Sequence, residues 1–294
     1  MIKEAPHRCG IVLTSIEVFR IRFVAAVLLW QSLMVLSLGV SPLRAEGLRL
    51  ITSPWPPSNY LSEDGRPTGL SVAVVEALKE RVGETAPIEV IPWARGYLTA
   101  QQNPNVMLFT AGRTQERLDM GFDFIGPIVM WSHVLLAPRD HPVEVASLED
   151  VRSKGLTVAG VRGSWQIKMI AEAGIQAVET EDHATAARML LAGRVDFWFT
   201  SRLQASAVLM ELGKRGDAVV PVHTVRRSPS YLMVSRGTDA VVLAAWRQAY
   251  ADLLLTDFFD RTARDWSGRL GVPLQFRAEE GFVAESLDLG DTGS

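Results

Sequence analysis

The sequence predicts an α/β protein of two lobes joined by two extended crossings. Three observations carry that reading. Short apolar, β-branched runs alternate with helical stretches from Leu48 onward. The alternation breaks at GPIVMWSHVLLAPRDHP (126–142), a long extended run, and then restarts as a second α/β unit. A further extended run, SYLMVSR (230–236), precedes two closing helices. Strand, helix, strand order implies parallel pairing through crossover helices, so each unit builds its own open sheet.

The first segment stands apart from this pattern. Arg20 and Arg22 precede an uncharged run from Phe23 to Val40, and SPLRAEG then places Leu43 and Ala45 at the −3 and −1 positions of a cut after Ala45. Basic flank, apolar core and small residue at the cut describe a secretory leader over 1–45. The alternative is a retained anchor, because such a run is just long enough to span a bilayer. Cleavage also removes Cys9, the one cysteine of the chain, so the exported lobes are expected to hold by core packing without disulfides. Cys9 precedes the apolar run and so cannot become a lipidated first residue.

In the first unit, LRLIT (48–52) reads as a strand. SVAVVEALKERV (71–82) reads as a helix with Val72, Val75, Leu78 and Val82 along one face. IEVI (88–91) and VMLF (106–109) read as buried strands around a helical ARGYLTAQQ. In the second unit, Ser147 caps SLEDVRSK. LTVAG (156–160), a helix from Ser164, IQAVE (175–179), ATAARMLLAG, VDFWFT (195–200), SRLQASAVLMELG and AVVPV (218–222) follow. Helices at about 238–256 and 258–268 return to the first lobe. The expected division is 46–136 with 230–274 as lobe one, 137–229 as lobe two, and 275–294 as a disordered tail.

The chain has 294 residues, 48% of them hydrophobic, with 30 Lys+Arg against 33 Asp+Glu. Loss of 1–45 removes five basic and two acidic residues, leaving 25 and 31 and a net charge of −6. That balance argues against a nucleic-acid partner. His133, His141, His183 and His223 show no metal-ligand spacing, and no G-x-S-x-G turn or phosphate-cradling glycine loop occurs. No metal, cofactor or catalytic group is therefore expected. Open sheets of this kind bind ligands beyond the carboxyl ends of their strands, here in the cleft between lobes.

Several segments, in order, resemble the family 3 periplasmic solute-binding proteins. They are PWPPSNY, EDGRPTGLSVAVVEAL, RTQERLDMGFDFIGP, LTVAGVRGSWQ and AARMLLAGRVDFWF. The resemblance spans about residues 48–270 and implies the two-lobed periplasmic binding protein type II fold with two interlobe crossover strands. It also implies a periplasmic monomer that captures a small solute and passes it to an ABC-type membrane permease. PWARGY is similar to a less characterised branch of the family rather than to its amino-acid binders.

The candidate site centres on AGRTQERL (111–118). Arg117 stands where the resemblance places a carboxylate-binding arginine. A guanidinium fork backed by backbone amides suits that task. Thr110 and Gly112 lie at the preceding strand end, and Gly112 would let a ligand approach the backbone. Arg113 and Arg117 are four apart, so they are alternatively a solvated helical face. Ser164 and Trp165 in VRGSWQ open a helix whose amides suit an anion, although Ser164 equally caps that helix. Trp55 falls at the family's ligand-stacking aromatic. Trp93 and Tyr60 are further candidates, each alternatively a packing residue. Ser201 occupies the position where the family holds an α-ammonium with an aspartate, and Ala73 replaces a second acidic residue. A carboxylate without an α-amine therefore fits these groups at least as well as an amino acid. The rival readings are a sensory module for a membrane receptor and a dehydratase-like enzyme on the same fold; no acid–base pair supports the latter.

Overall fold

The computed structural model describes residues 47–284, so the expected leader and the acidic end beyond residue 284 lie outside the described residues. In the first lobe, β1 (Arg49–Thr52) is flanked in parallel by β4 (Ile88–Val90) and β5 (Val106–Gly112). The links are α1 (Leu70–Val82) and α2 (Trp93–Gln102), and a small hairpin of β2 (Tyr60–Leu61) and β3 (Pro67–Thr68) precedes α1. A short helix α3 (Gln115–Asp119) leads into β6 (Asp123–Pro138).

The second lobe runs α4 (Leu148–Ser153), β7 (Thr157–Val161), α5 (Trp165–Glu172), β8 (Gln176–Thr180), α6 (His183–Leu191), β9 (Phe197–Ser201) and α7 (Arg202–Glu211). Here β7 pairs in parallel with both β8 and β9, as the strand–helix alternation predicts. Successive residues of β9 point to opposite faces. Trp198 accordingly joins Leu190 and Val208 on one side, while Phe197 and Phe199 join Ile170 on the other.

The strand β10 (Val219–Val234) then pairs antiparallel with β6 along its length, from Val219 opposite Pro138 to Val234 opposite Asp123. The path through the sheet is β4-β1-β5-β10-β6-β9-β7-β8. β5 pairs with β10 only from Ser230 to Val234, and β9 pairs with β6 only from His133 to Leu136. The stretch between is a two-stranded bridge joining the lobes. The β6–β10 register shifts three times in β10, on either side of this bridge, which twists the ribbon locally.

Two expectations change. Runs 218–222 and 230–236 are one strand, because the polar HTVRRSPS between them is carried by its pairing with β6. Pro229 lies just beyond the β5 ladder, so its missing N–H removes no hydrogen bond there. The expected disordered tail also begins too early. Residues 275–284 belong to β11 (Leu274–Arg277) and β12 (Gly281–Ala284), a hairpin whose Phe282 meets Val129 of β6. The charged RAEEG turn hides the signal. Phe276 stacks on Phe259 with ring centroids 3.8 Å apart, and Phe282 is fully buried beside them.

The closing helices α8 (Ala240–Leu254) and α9 (Phe258–Leu270) complete the first core, where Trp246, Leu253 and Trp266 join Leu50, Leu78 and Phe109. The buried Tyr250 hydroxyl donates to the Pro127 carbonyl at 2.7 Å, tying α8 to the start of the bridge. Tyr250→Phe leaves that carbonyl without its donor. The expected loss is about 1–2 kcal/mol, read from urea midpoints. An unchanged midpoint would show that the bond contributes nothing.

Candidate functional site

The parallel strands β1, β4 and β5 end at one edge of the first sheet, so the residues after each strand converge. Ser53 and Trp55 follow β1, Trp93 opens α2 after β4, and Thr110 and Gly112 end β5. With Arg117 of α3 they form one side of a cavity of about 350 Å³. The bridge supplies Trp131 and His133 from β6 and Ser228 to Ser230 from β10, and the second lobe supplies Trp165. The volume is at the low end of the ~300–1,000 Å³ usual for small-molecule sites.

Arg117 is the fixed cation of this cavity. Its Nη1 donates to the Gly112 carbonyl at 2.6 Å. The guanidinium carbon lies 5.2 Å from the Trp93 ring centre and 5.1 Å from that of Tyr97, within cation–π range. Trp93 and Tyr97 are one helical turn apart in α2 and stack at 12° between planes. Gly96 allows this placement, since a Cβ there would press on Ile51 and Leu108, 3.0 and 3.1 Å away. PWARGY is thus a local device: two aromatics brace an arginine, and a glycine lets their helix lie close to the sheet. Arg117 forms no ion pair among the described residues, and its remaining donors are uncommitted to protein.

Thr110 is the residue skipped where the β5–β10 register shifts, and its φ is 65°, an unusual backbone for a β-branched residue. Such outliers persist where surrounding contacts over-determine them. Here the Thr110 hydroxyl donates to Asn59 Oδ1 at 2.5 Å, and buried Asn59 Nδ2 donates to the Ser53 carbonyl. The Trp55 N–H donates to the Asn59 carbonyl at 2.6 Å. The bulge therefore fastens the loop that carries Trp55. Trp55 is half exposed and meets Trp131 edge-on, with centroids 5.7 Å apart.

The facing wall is built on His133. Its ring contacts Trp165 edge-to-face at 4.9 Å, Trp165 contacts Phe199 at 5.8 Å, and the Arg226 guanidinium sits 5.5 Å from the Trp165 ring centre. His133 is 8% exposed, and its buried Nδ1 has no partner among the described residues. Burial, and then repulsion from Arg226, lower its pKa from 6.5 to about 4, so the ring is neutral at neutral pH. In the unfolded chain the ordinary value returns. The unfolded state therefore takes up the extra proton between about pH 6.5 and 4. Stability on this account is complete above the unfolded value and falls as pH drops toward the folded one, by at most about 3 kcal/mol. Half-buried His183 is lowered in the same direction, by desolvation, and adds to the slope. His133→Phe is expected to flatten the acid limb of urea midpoints between about pH 7 and about pH 4.5. A wild-type slope in the variant would count against a neutral His133.

Of the residues expected from sequence, Arg117, Gly112, Thr110, Trp55, Trp165 and Trp93 meet in one cavity. Three others do not line it. Arg113 is exposed just before the α3 cap, Thr114. Ser164 accepts from the Ile167 N–H at 3.3 Å and so caps α5. Ser201 is 3% exposed, pairs with His133 across the β6–β9 ladder and caps α7 through the Gln204 N–H. Tyr60, the further candidate, lies in β2 outside the cavity wall. The sequence analysis singled out neither Trp131 nor His133 as a cleft residue. Their spacing of two was the available signal, because alternate residues of a strand share a face. Ser228 and Ser230 repeat it on β10.

The profile of the bacterial extracellular solute-binding proteins, family 3, matches residues 48–269. No curated protein sequence matches the chain at a significant level. Among solved structures, the chain is similar to a histidine kinase sensor domain with similarity to periplasmic binding proteins. The identity is 24%, the TM-score 0.59, and 76% of this chain and 97% of that one are covered. It is also similar to an ancestral arginine-binding protein bound to arginine, at 19% identity and TM-score 0.57, covering 76% and 99%. A third is the L-cystine solute receptor of Neisseria gonorrhoeae in its unliganded open conformation, at 21% and 0.58, covering 76% and 93%. At these identities the likeness is one of fold. Two lobes, two crossing strands, and a profile match over most of the chain lead to one conclusion: the protein belongs to the bacterial extracellular solute-binding proteins, family 3, and has the periplasmic-binding-protein type II fold.

Proposed function

We propose that this chain is a periplasmic solute-binding protein that captures a small polar or anionic solute, an amino acid or related organic acid, by lobe closure and delivers it to an ABC-type permease. The observation that carries the reading is Arg117. It is a braced guanidinium with unused donors, set in a cavity between strand ends of one lobe and Trp165 of the other. Arg117 holds the acid group, Gly112 and Thr110 border it, and Trp55 and Trp165 cover the rest of the solute. Closure brings Trp165 onto the first lobe and excludes water, which strengthens the charged hydrogen bonds. The function is binding and hinge motion, without bond chemistry. Among the described residues no helix is long and apolar enough to cross a membrane.

A sensory role is the second reading, favoured by the likeness to a histidine kinase sensor domain. Native mass spectrometry of protein isolated gently from its own host tests the common core of both: a retained small acid is expected. Protein saturable by no solute would sink it. Deleting the gene then separates the two readings. Lost uptake of the retained solute marks transport, whereas intact uptake with a lost transcriptional response marks sensing.

A further inference from the structure

We infer that the ligand of this cleft is a small carboxylate borne on a flat aromatic ring and lacking an ammonium group; the inference rests on the solute-binding reading above. The first ground is the character of the wall. Four indoles, Trp55, Trp93, Trp131 and Trp165, line the cavity together with the His133 imidazole. Flat apolar walls of this kind favour a ring over an aliphatic chain, because offset and edge-on aromatic contacts add to simple burial. The edge-on pairs Trp55–Trp131 at 80° and His133–Trp165 at 84° present faces and edges at right angles, a frame suited to a planar guest.

The second ground is charge. Among the described residues no aspartate or glutamate lines the cavity, and the lining cation is Arg117. Arg226 adds a second positive group behind Trp165. The position where an ammonium-holding aspartate was sought is Ser201, whose hydroxyl is already engaged as a helix cap. An α-ammonium would enter a net positive box with no carboxylate of the described residues to face it, an expensive desolvation.

Tryptophans also form cages for quaternary ammonium groups, so a betaine is the competing ligand. The contacts argue against it. The Trp93 ring already serves the Arg117 guanidinium, and the Trp165 ring serves that of Arg226. A ligand cation would meet two resident cations in place of free π-surface.

The experiment is calorimetric titration of the purified protein with matched probes. They are 3-phenylpropionate and L-phenylalanine, which differ in the ammonium group, benzoate and cyclohexanecarboxylate, which differ in aromaticity, and glycine betaine, succinate and the common L-amino acids. The aromatic acids are expected to bind at least about tenfold tighter than their ammonium-bearing or saturated counterparts. Arg117→Gln is expected to remove that binding. If L-phenylalanine matches or exceeds 3-phenylpropionate, or if only betaine, succinate or another amino acid binds, the ligand class is wrong and the solute-binding reading stands. Binding by none of the probes, in protein whose thermal melt shows it folded, overturns the ligand class. If native mass spectrometry also finds no retained solute, the solute-binding reading falls with it.

Discussion

Arg117→Ala is expected to weaken binding of the retained solute, or of an aromatic-acid probe, by about 30- to 150-fold. This follows from the cost of leaving a desolvated carboxylate without its partner, about 2–3 kcal/mol for a half-buried arginine. The folded state itself should change little, because the side chain makes one hydrogen bond, to Gly112, and no ion pair among the described residues. Arg117→Lys separates charge from geometry. Lysine keeps the positive charge but loses the planar fork and the flat contact with Trp93 and Tyr97, so an intermediate affinity is expected. Equal affinity in wild type and Arg117→Ala would move the anion site elsewhere in the cleft.

Gly69→Ala is expected to destabilise the fold by about 3–5 kcal/mol and to weaken ligand binding in whatever fraction remains folded. Gly69 has φ 124°, and an added Cβ would fall inside contact distance of the Ser58 carbonyl. That closeness has a function. α1 begins without a side-chain cap. Its first amides are satisfied from the Trp55 loop: the Leu70 N–H donates to Pro57 at 3.1 Å and the Ser71 N–H donates to Ser58 at 2.9 Å. The Ser58 and Ser71 hydroxyls share a further bond of 2.7 Å. Forcing Gly69 away from Ser58 breaks this junction and displaces the loop carrying Trp55. A combined loss of urea stability and affinity is the expected signature. A stable Gly69→Ala protein with wild-type affinity would show that the loop and helix are not coupled.

Much of this molecule was legible in one dimension. The β-branched runs and helical periodicities placed β1, α1, β7 and β9 within a residue or two, and β5 from its first residue but three short at its end, since strand and helix repeats are written in the spacing of apolar side chains. The alternation of those elements dictated parallel pairing, and parallel pairing dictated where a site had to form. Arg117, Gly112, Thr110, Trp55 and Trp165 follow from that rule and from motif position. What failed lay in segments whose partners are far away in the chain. HTVRRSPS looks like a loop until β6 pairs with it, and FRAEEGF looks like a tail until Phe259 stacks on Phe276.

The sequence by itself determined the fold class, the edge of the sheet at which ligands gather, and the arginine placed there. Only the tertiary structure decided which aromatics share the cavity, that Arg113, Ser164 and Ser201 stand outside its wall, and that Trp93 and Tyr97 brace Arg117. The reason is physical. Local spacing fixes which face of an element is apolar, whereas the pairing of β6 with β10, more than 80 residues apart, fixes which side chains of different elements can touch.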